Sequence, residues 1–187
     1  KIMAPVKGGL KESMLPSRPP MKGARDFWLA FVGRTLLIFS YYMILNYQLY
    51  ILEMYIGQGK KAAAATISVM SVITMIVGLV GSLASGAISD KIGRRKVPVI
   101  VASFLLAPGY FLPWVMKSPS SMMLFAGFAG LGYAVYGAVD QALNVDVLPS
   151  KKEAGKDLGI INVATTLGQT AGPIVTSALV AAGGYQL

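Results

Sequence analysis

Apolar positions along the chain come in five long blocks, not in the two-residue alternation of strands or the narrow stripe of a surface helix. The blocks run over about 28–50, 66–88, 97–116, 122–147 and 158–182. Each has roughly the 20 residues that a helix needs to cross about 30 Å of hydrocarbon. Between them lie short polar stretches: Gly57-Gln58-Gly59-Lys60-Lys61, Asp90 to Lys96, Lys117-Ser118-Pro119-Ser120 and Leu148 to Asp157. Pro108 and Pro113 predict kinks in the third block. Residues 1–26 hold four prolines and no helical periodicity, which predicts a linker. The pattern as a whole predicts an all-α membrane protein.

Composition agrees: 55% of the 187 residues are hydrophobic and 13% charged, where a soluble domain carries about 25% charged residues. The net charge of +9 would point to nucleic acid in a soluble protein. Here its placement gives it another meaning. The 1–26 segment, the 90–96 loop and the 149–157 loop hold 13 of the 17 basic residues. The opposite side has Lys60, Lys61 and Lys117, and Arg34 lies inside a span. By the positive-inside rule this puts the 1–26 linker in the cytoplasm, in a multi-pass protein of the cell (inner) membrane. No nucleic-acid partner is expected. The 1–26 segment has no apolar core, so it is no signal peptide. The start at Lys1 and the finish in Gly183-Gly184-Tyr185-Gln186-Leu187 read as the ends of a fragment.

The chain has no Cys and no His, which removes thiol catalysis, disulfides and the usual zinc or haem ligands. It also lacks a G-x-x-x-x-G-K-[ST] loop, so this chain is not expected to hydrolyse nucleotides. Neither enzymatic activity nor a cofactor is expected. Any proton coupling must use Asp or Glu.

Small residues recur at four-residue spacing: Ala164, Gly168, Gly172 and Thr176 in the fifth block, Gly81 with Ser85 and Ser82 with Gly86 in the second. Such lines let helix backbones approach closely in lipid. Between the second and third blocks stands Gly86-Ala87-Ile88-Ser89-Asp90-Lys91-Ile92-Gly93-Arg94-Arg95-Lys96. Gly86 permits close helix contact, Gly93 a sharp turn, and the basic triplet a cytoplasmic anchor. This run resembles the signature loop of the major facilitator superfamily, G-x-x-x-D-[RK]-x-G-R-[RK]-[RK]. The resemblance implies five transmembrane helices of a six-helix half, a fragment of a twelve-helix bundle whose other half is missing. It implies a gating loop of Gly86, Asp90, Lys91, Gly93, Arg94 and Arg95, with Asp146 as acidic partner of the loop arginine. Gly168-Gln169-Thr170-Ala171-Gly172-Pro173 looks like part of an antiporter pattern but lacks its following glycine pair. The Asp26-Phe27-Trp28 opening, and the absence of an arginine in the fourth span, resemble a second half, spans seven to eleven. Asp140 to Pro149 with Ala154 to Asn162 looks most like bacterial sugar-symporter-like members.

Ionisable side chains inside a span are costly and so mark function. Arg34 lies roughly 9 Å inside the first block and Asp140 roughly 12 Å from the end of the fourth. Tyr133, Gly137, Asp140 and Asn144 share one helical face, as do Tyr42, Asn46 and Glu53. With Gln169, the residues Arg34, Tyr42, Asn46, Tyr133, Asp140 and Asn144 are candidate substrate or proton groups. The expected function is ion-coupled transport of a small polar solute, a sugar first, by alternating access, with proton or sodium as coupling ion. The alternatives are a multidrug or metabolite antiporter and a non-transporting sensor or degenerate half-transporter.

Overall fold

A computed structural model describes residues 24–92, 96–146, 148 and 154–184, apart from the side chains of a few residues beside the gaps. Among the described residues all regular structure is helical. Helix α1 spans Arg25–Leu45, α2 Lys60–Ile92, α3 Lys96–Val115, α4 Pro119–Asp146 and α5 Ala154–Gly183. A turn at Asn46 and Tyr47 interrupts the first block. The chain then continues through a short helical turn, Gln48–Tyr50, and a π-helical turn, Ile51–Tyr55. It stops at Gly57, whose φ of +83° is the left-handed conformation common just past a helix end.

The boundaries differ from the sequence reading in identifiable ways. Arg25 and Asp26 belong to the first turn of α1, where an acidic side chain suits the helix dipole, and not to the linker. The first block does not run unbroken to residue 50. Helix α2 begins six residues early, because Lys60 to Ala65 is rich in alanine, the best helix former. Proline opens α4, a favoured place because the missing N–H would be unsatisfied there anyway. Asp157, read as loop, sits in the first turn of α5 and is 1% exposed.

Among the described residues four helices are long and apolar enough to cross a membrane: Arg25–Leu45, Lys60–Ile88, Val97–Val115 and Pro119–Asp140. Helix α5 has 30 residues but is less apolar, carrying Asn162, Thr165, Thr166, Gln169 and Thr170 along its length. Large apolar side chains such as Leu36, Leu79, Leu83, Phe104 and Ile174 are exposed on the outside. A soluble protein avoids such a surface, and lipid accepts it.

The helices form two groups. Helix α4 packs along both α2 and α3, and α1 packs lengthwise against α5, with slighter contact between the groups. Both pairings rely on close backbone approach. A Cβ built on Gly168 would lie 2.8 Å from Thr35 O and 2.9 Å from Phe39 N, and one on Gly132 would lie 2.9 Å from Ala102 O. The expected small-residue line on α5 is thus its contact face with α1: Ala164, Gly168 and Gly172 are buried, and the Thr176 hydroxyl donates to Met43 O at 3.3 Å. Gly86 behaves otherwise, since a Cβ there meets nothing within 4 Å among the described residues.

Candidate functional site: a buried ion pair on three helices

Helix geometry brings Asp140 and Asn144 of α4 onto one face, four residues apart, and both are buried, 4% and 3% exposed. On α1, Arg34 is buried at 7% exposure. Its Nη1 donates to Asp140 Oδ2 at 2.5 Å, and Asn144 Nδ2 donates to the same oxygen at 3.1 Å. The guanidinium also reaches α5: Nε donates to Thr165 Oγ1 at 2.8 Å and Nη2 lies 3.5 Å from Asn162 Oδ1. One side chain therefore joins three helices.

Charge explains the arrangement. A buried guanidinium needs an opposite charge, and Asp140 supplies it. The pairing is end-on instead of a two-pronged fork. Asp140 Oδ2 accepts both bonds. The Tyr136 phenol, one turn back on α4, is close enough to interact electrostatically with Asp140 and Arg34. A cavity of about 420 Å³ lies beside the pair, between α1, α3 and α4. Arg34, Ser40, Tyr110 and Tyr136 are among its lining residues, and most of the others are apolar.

A second polar cluster lies further along α1. Gln169 Nε2 donates to the Tyr42 hydroxyl at 3.1 Å, linking α5 to α1. Tyr133 stacks on Tyr41 with ring centres 4.3 Å apart and planes 10° from parallel. Arg34, Asp140 and Asn144 thus form one unit, and Tyr42 with Gln169 another. Asn46 joins neither: it is exposed, and its Nδ2 donates to Tyr42 O of its own helix at 3.1 Å. The break after Leu45 removes it from the face that an unbroken helix would share with Tyr42 and Glu53. Gly137 is exposed, so the expected face of α4 is buried only toward its Asp140 end.

Sequence reasoning missed Asn162, Thr165 and Tyr136. Asn162 and Thr165 do show a three-residue spacing on α5, but nothing in that spacing names Arg34 as their partner. Of the signature loop, Lys91 is exposed and Asp146 is exposed at the end of α4. Gly93, Arg94, Arg95 and the Asp90 side chain lie outside the described residues, as does the 1–23 part of the linker.

The model of the Major Facilitator Superfamily matches residues 34–187, most of the chain and all of this site. The chain belongs to the major facilitator superfamily. A probable 4-methylmuconolactone transporter from Cupriavidus pinatubonensis is 26% identical over 157 residues, which is 84% of this chain and 35% of that protein. The chain thus spans about a third of the length of this relative. No solved structure matches it. Family and relative both point to membrane transport, and the Arg34–Asp140 pair joins α1 to α4 inside this major facilitator chain.

Proposed function

We propose that the chain forms part of a secondary transporter that moves a small polar solute by alternating access, driven by an ion gradient. The observation that carries this reading is the Arg34–Asp140 pair, an ion pair 8% and 6% exposed at its two side chains, held between helices of a major facilitator bundle. A buried pair is a poor stabiliser compared with apolar packing, and intramembrane charge marks transport pathways and proton relays. In this reading α1 to α5 are five spans of a second six-helix half, α5 included, with the basic segment before α1 in the cytoplasm. A first half is the partner, the lipid bilayer the medium, and a proton on Asp140 the coupling ion. The signature loop acts as the cytoplasmic gate.

The solute class has two readings. The resemblance to sugar symporters favours a sugar. The name of the relative favours a small organic metabolite such as a lactone, and the mostly apolar cavity beside Arg34 supports this second reading.

The test is uptake by the complete protein in proteoliposomes under an imposed proton gradient. Asp140→Asn keeps the shape and most hydrogen bonds of the carboxylate but cannot carry a proton. Gradient-driven accumulation is expected to fall at least tenfold, with membrane insertion intact. Accumulation at the normal level and with normal pH dependence would remove Asp140 from the coupling step.

A further inference from the structure

Away from the ion pair, α2 and α3 leave an open crevice between them, close to where the chain passes from one to the other. Each packs along α4 but touches the other only slightly. Val80, Ala84 and Ile88 of α2 line one side, Val97 and Val101 of α3 the other, and Leu131 belongs to α4. We propose that this crevice holds one acyl chain of an anionic phospholipid, whose headgroup sits at Lys91 and Lys96. Such a site serves the chain in its membrane whether or not it transports a solute.

Three observations combine. First, the crevice offers little to a polar solute. Its volume of about 240 Å³ is below the roughly 300–1,000 Å³ of small-molecule sites. The one side-chain hydroxyl along it, that of Ser85, donates to Ser82 O of its own helix at 3.2 Å. Hydrocarbon is what such a wall accepts. Second, its length suits one leaflet. From Val80 to Ile88 α2 rises roughly 12 Å at 1.5 Å per residue, and one leaflet supplies roughly 15 Å of the hydrocarbon core. Third, one end is cationic. Ala84, Ile88 and Lys91 share a face of α2 by four- and three-residue spacing, and Lys91 is exposed. Lys96 is the first residue of α3, one position before Val97. From Val80 to Val101 the sequence has four basic residues and one acidic residue, Asp90. A headgroup phosphate at this level meets lysine charge while its acyl chain runs along the crevice.

Another helix suits the crevice less well. A Cβ built on Gly78 or Gly86 of α2 meets nothing within 4 Å among the described residues, so these glycines have open space beside them. With Ser82 they form a line of small residues two positions out of step with Val80, Ala84 and Ile88. Two residues turn a helix by about 200°. The line on which a second backbone could close is therefore on the far side of α2. On the crevice side Val80, Ile88 and Val101 present branched, exposed side chains, which pack against a flexible chain more readily than against a backbone.

The experiment offers the complete protein, purified in detergent, an equimolar mixture of dioleoyl phosphatidylglycerol and dioleoyl phosphatidylethanolamine. Native mass spectrometry reads which lipid stays bound. The wild type is expected to keep a phosphatidylglycerol, favoured about 30-fold over phosphatidylethanolamine, the ratio that two lysines confer at a membrane surface. In Lys91→Gln/Lys96→Gln a lipid should still bind, and the preference should vanish. In Val101→Trp, whose indole fills the crevice, the bound lipid should be lost while the melting transition of the lipid-free protein stays unchanged. A phosphatidylglycerol with a diazirine midway along one acyl chain tests the place in the wild type, with no substitution to disturb folding. Its label should concentrate on residues 80–101 and on the α4 stretch around Leu131. Equal retention of the two lipids by the wild type overturns the inference, and so does retention of phosphatidylglycerol by Val101→Trp. Label spread evenly over exposed positions such as Leu36, Phe104 and Ile174 makes the lipid a solvent only and overturns it. Label absent from the crevice, as when another helix or a second copy of the chain fills it, overturns it as well.

Discussion

The two helix groups hold themselves together in similar ways and meet each other in a different one. Within the α2–α3–α4 group and within the α1–α5 pair, backbones approach through glycine: Gly132 against Ala102, Gly168 against Thr35 and Phe39. Such contacts are rigid, because neither side has a flexible side chain to yield. Between the groups the junction is made by side chains. Toward the C-terminal end of α1 Tyr41 packs against Phe125 and Tyr133, and nearer its middle Arg34 reaches Asp140. Ring stacking and hydrogen bonds can be remade in a second arrangement without unpacking a helix. The contrast can be tested at each type of contact.

The largest effect is expected at the seam. Arg34→Ala strands Asp140 as a buried carboxylate, which costs about 3–5 kcal/mol. In detergent the melting transition should fall markedly, and uptake should vanish. In the double variant Arg34→Gln/Asp140→Asn most of that stability should return while uptake does not. Equal loss of stability in both variants would show that the pair acts through shape and not charge.

A middle-sized effect is expected within the α1–α5 pair. Gly168→Val places a branched side chain where even a Cβ lies 2.8 Å from Thr35 O. Overpacking of this kind costs about 1–3 kcal/mol. Gly137→Ala, at an exposed glycine with open space around it, should change the melting temperature very little. The chain has no native Cys, so spin labels at the exposed Leu36 and Leu167 can follow the α1–α5 spacing cleanly. That distance should stay fixed in the wild type when pH changes, while a Leu36–Phe104 distance across the seam shifts. A shift in both would dissolve the distinction between body and seam.

The smallest effect belongs to the polar contact between Tyr42 and Gln169. Tyr42→Phe removes the bond from Gln169 and should cost about 1 kcal/mol. A much larger loss of uptake at unchanged stability would move Tyr42 from helix linkage to solute contact.

The helices that were plain in the sequence are those whose surroundings are uniform. Four spans face lipid over much of their surface, and hydropathy alone finds them. Helix α5 is harder, because Thr, Gln and Gly on its length serve α1 and Arg34 instead of lipid. The break at Asn46 and Tyr47 left no Gly or Pro at that point to mark it, so Asn46 was placed on a face that the helix does not continue. At the site, Asp140 and Asn144 are four residues apart and their association is a local matter. Arg34 lies 106 residues from Asp140, and no local spacing connects them. Each residue was legible as an anomaly within its span; that they are the same anomaly is a property of the fold. Asp157 was hidden for the opposite reason, since a charged residue among lysines looks like loop until the first turn of a helix buries it.

That separation of 106 residues also has a consequence in time. The ribosome adds about 5–20 residues per second, so Arg34 is made on the order of ten seconds before its counter-ion. During that interval α1 carries an uncompensated cation, which adds about 2.5–3.5 kcal/mol to its insertion near mid-membrane. The leucines, isoleucine and aromatic residues of Thr35 to Tyr42 offset part of this. Helix α1 is therefore expected to linger at the insertion machinery or at the membrane surface, and to settle only after α4 and α5 arrive. Arg34 thus makes α1 the last of these five helices to come to rest.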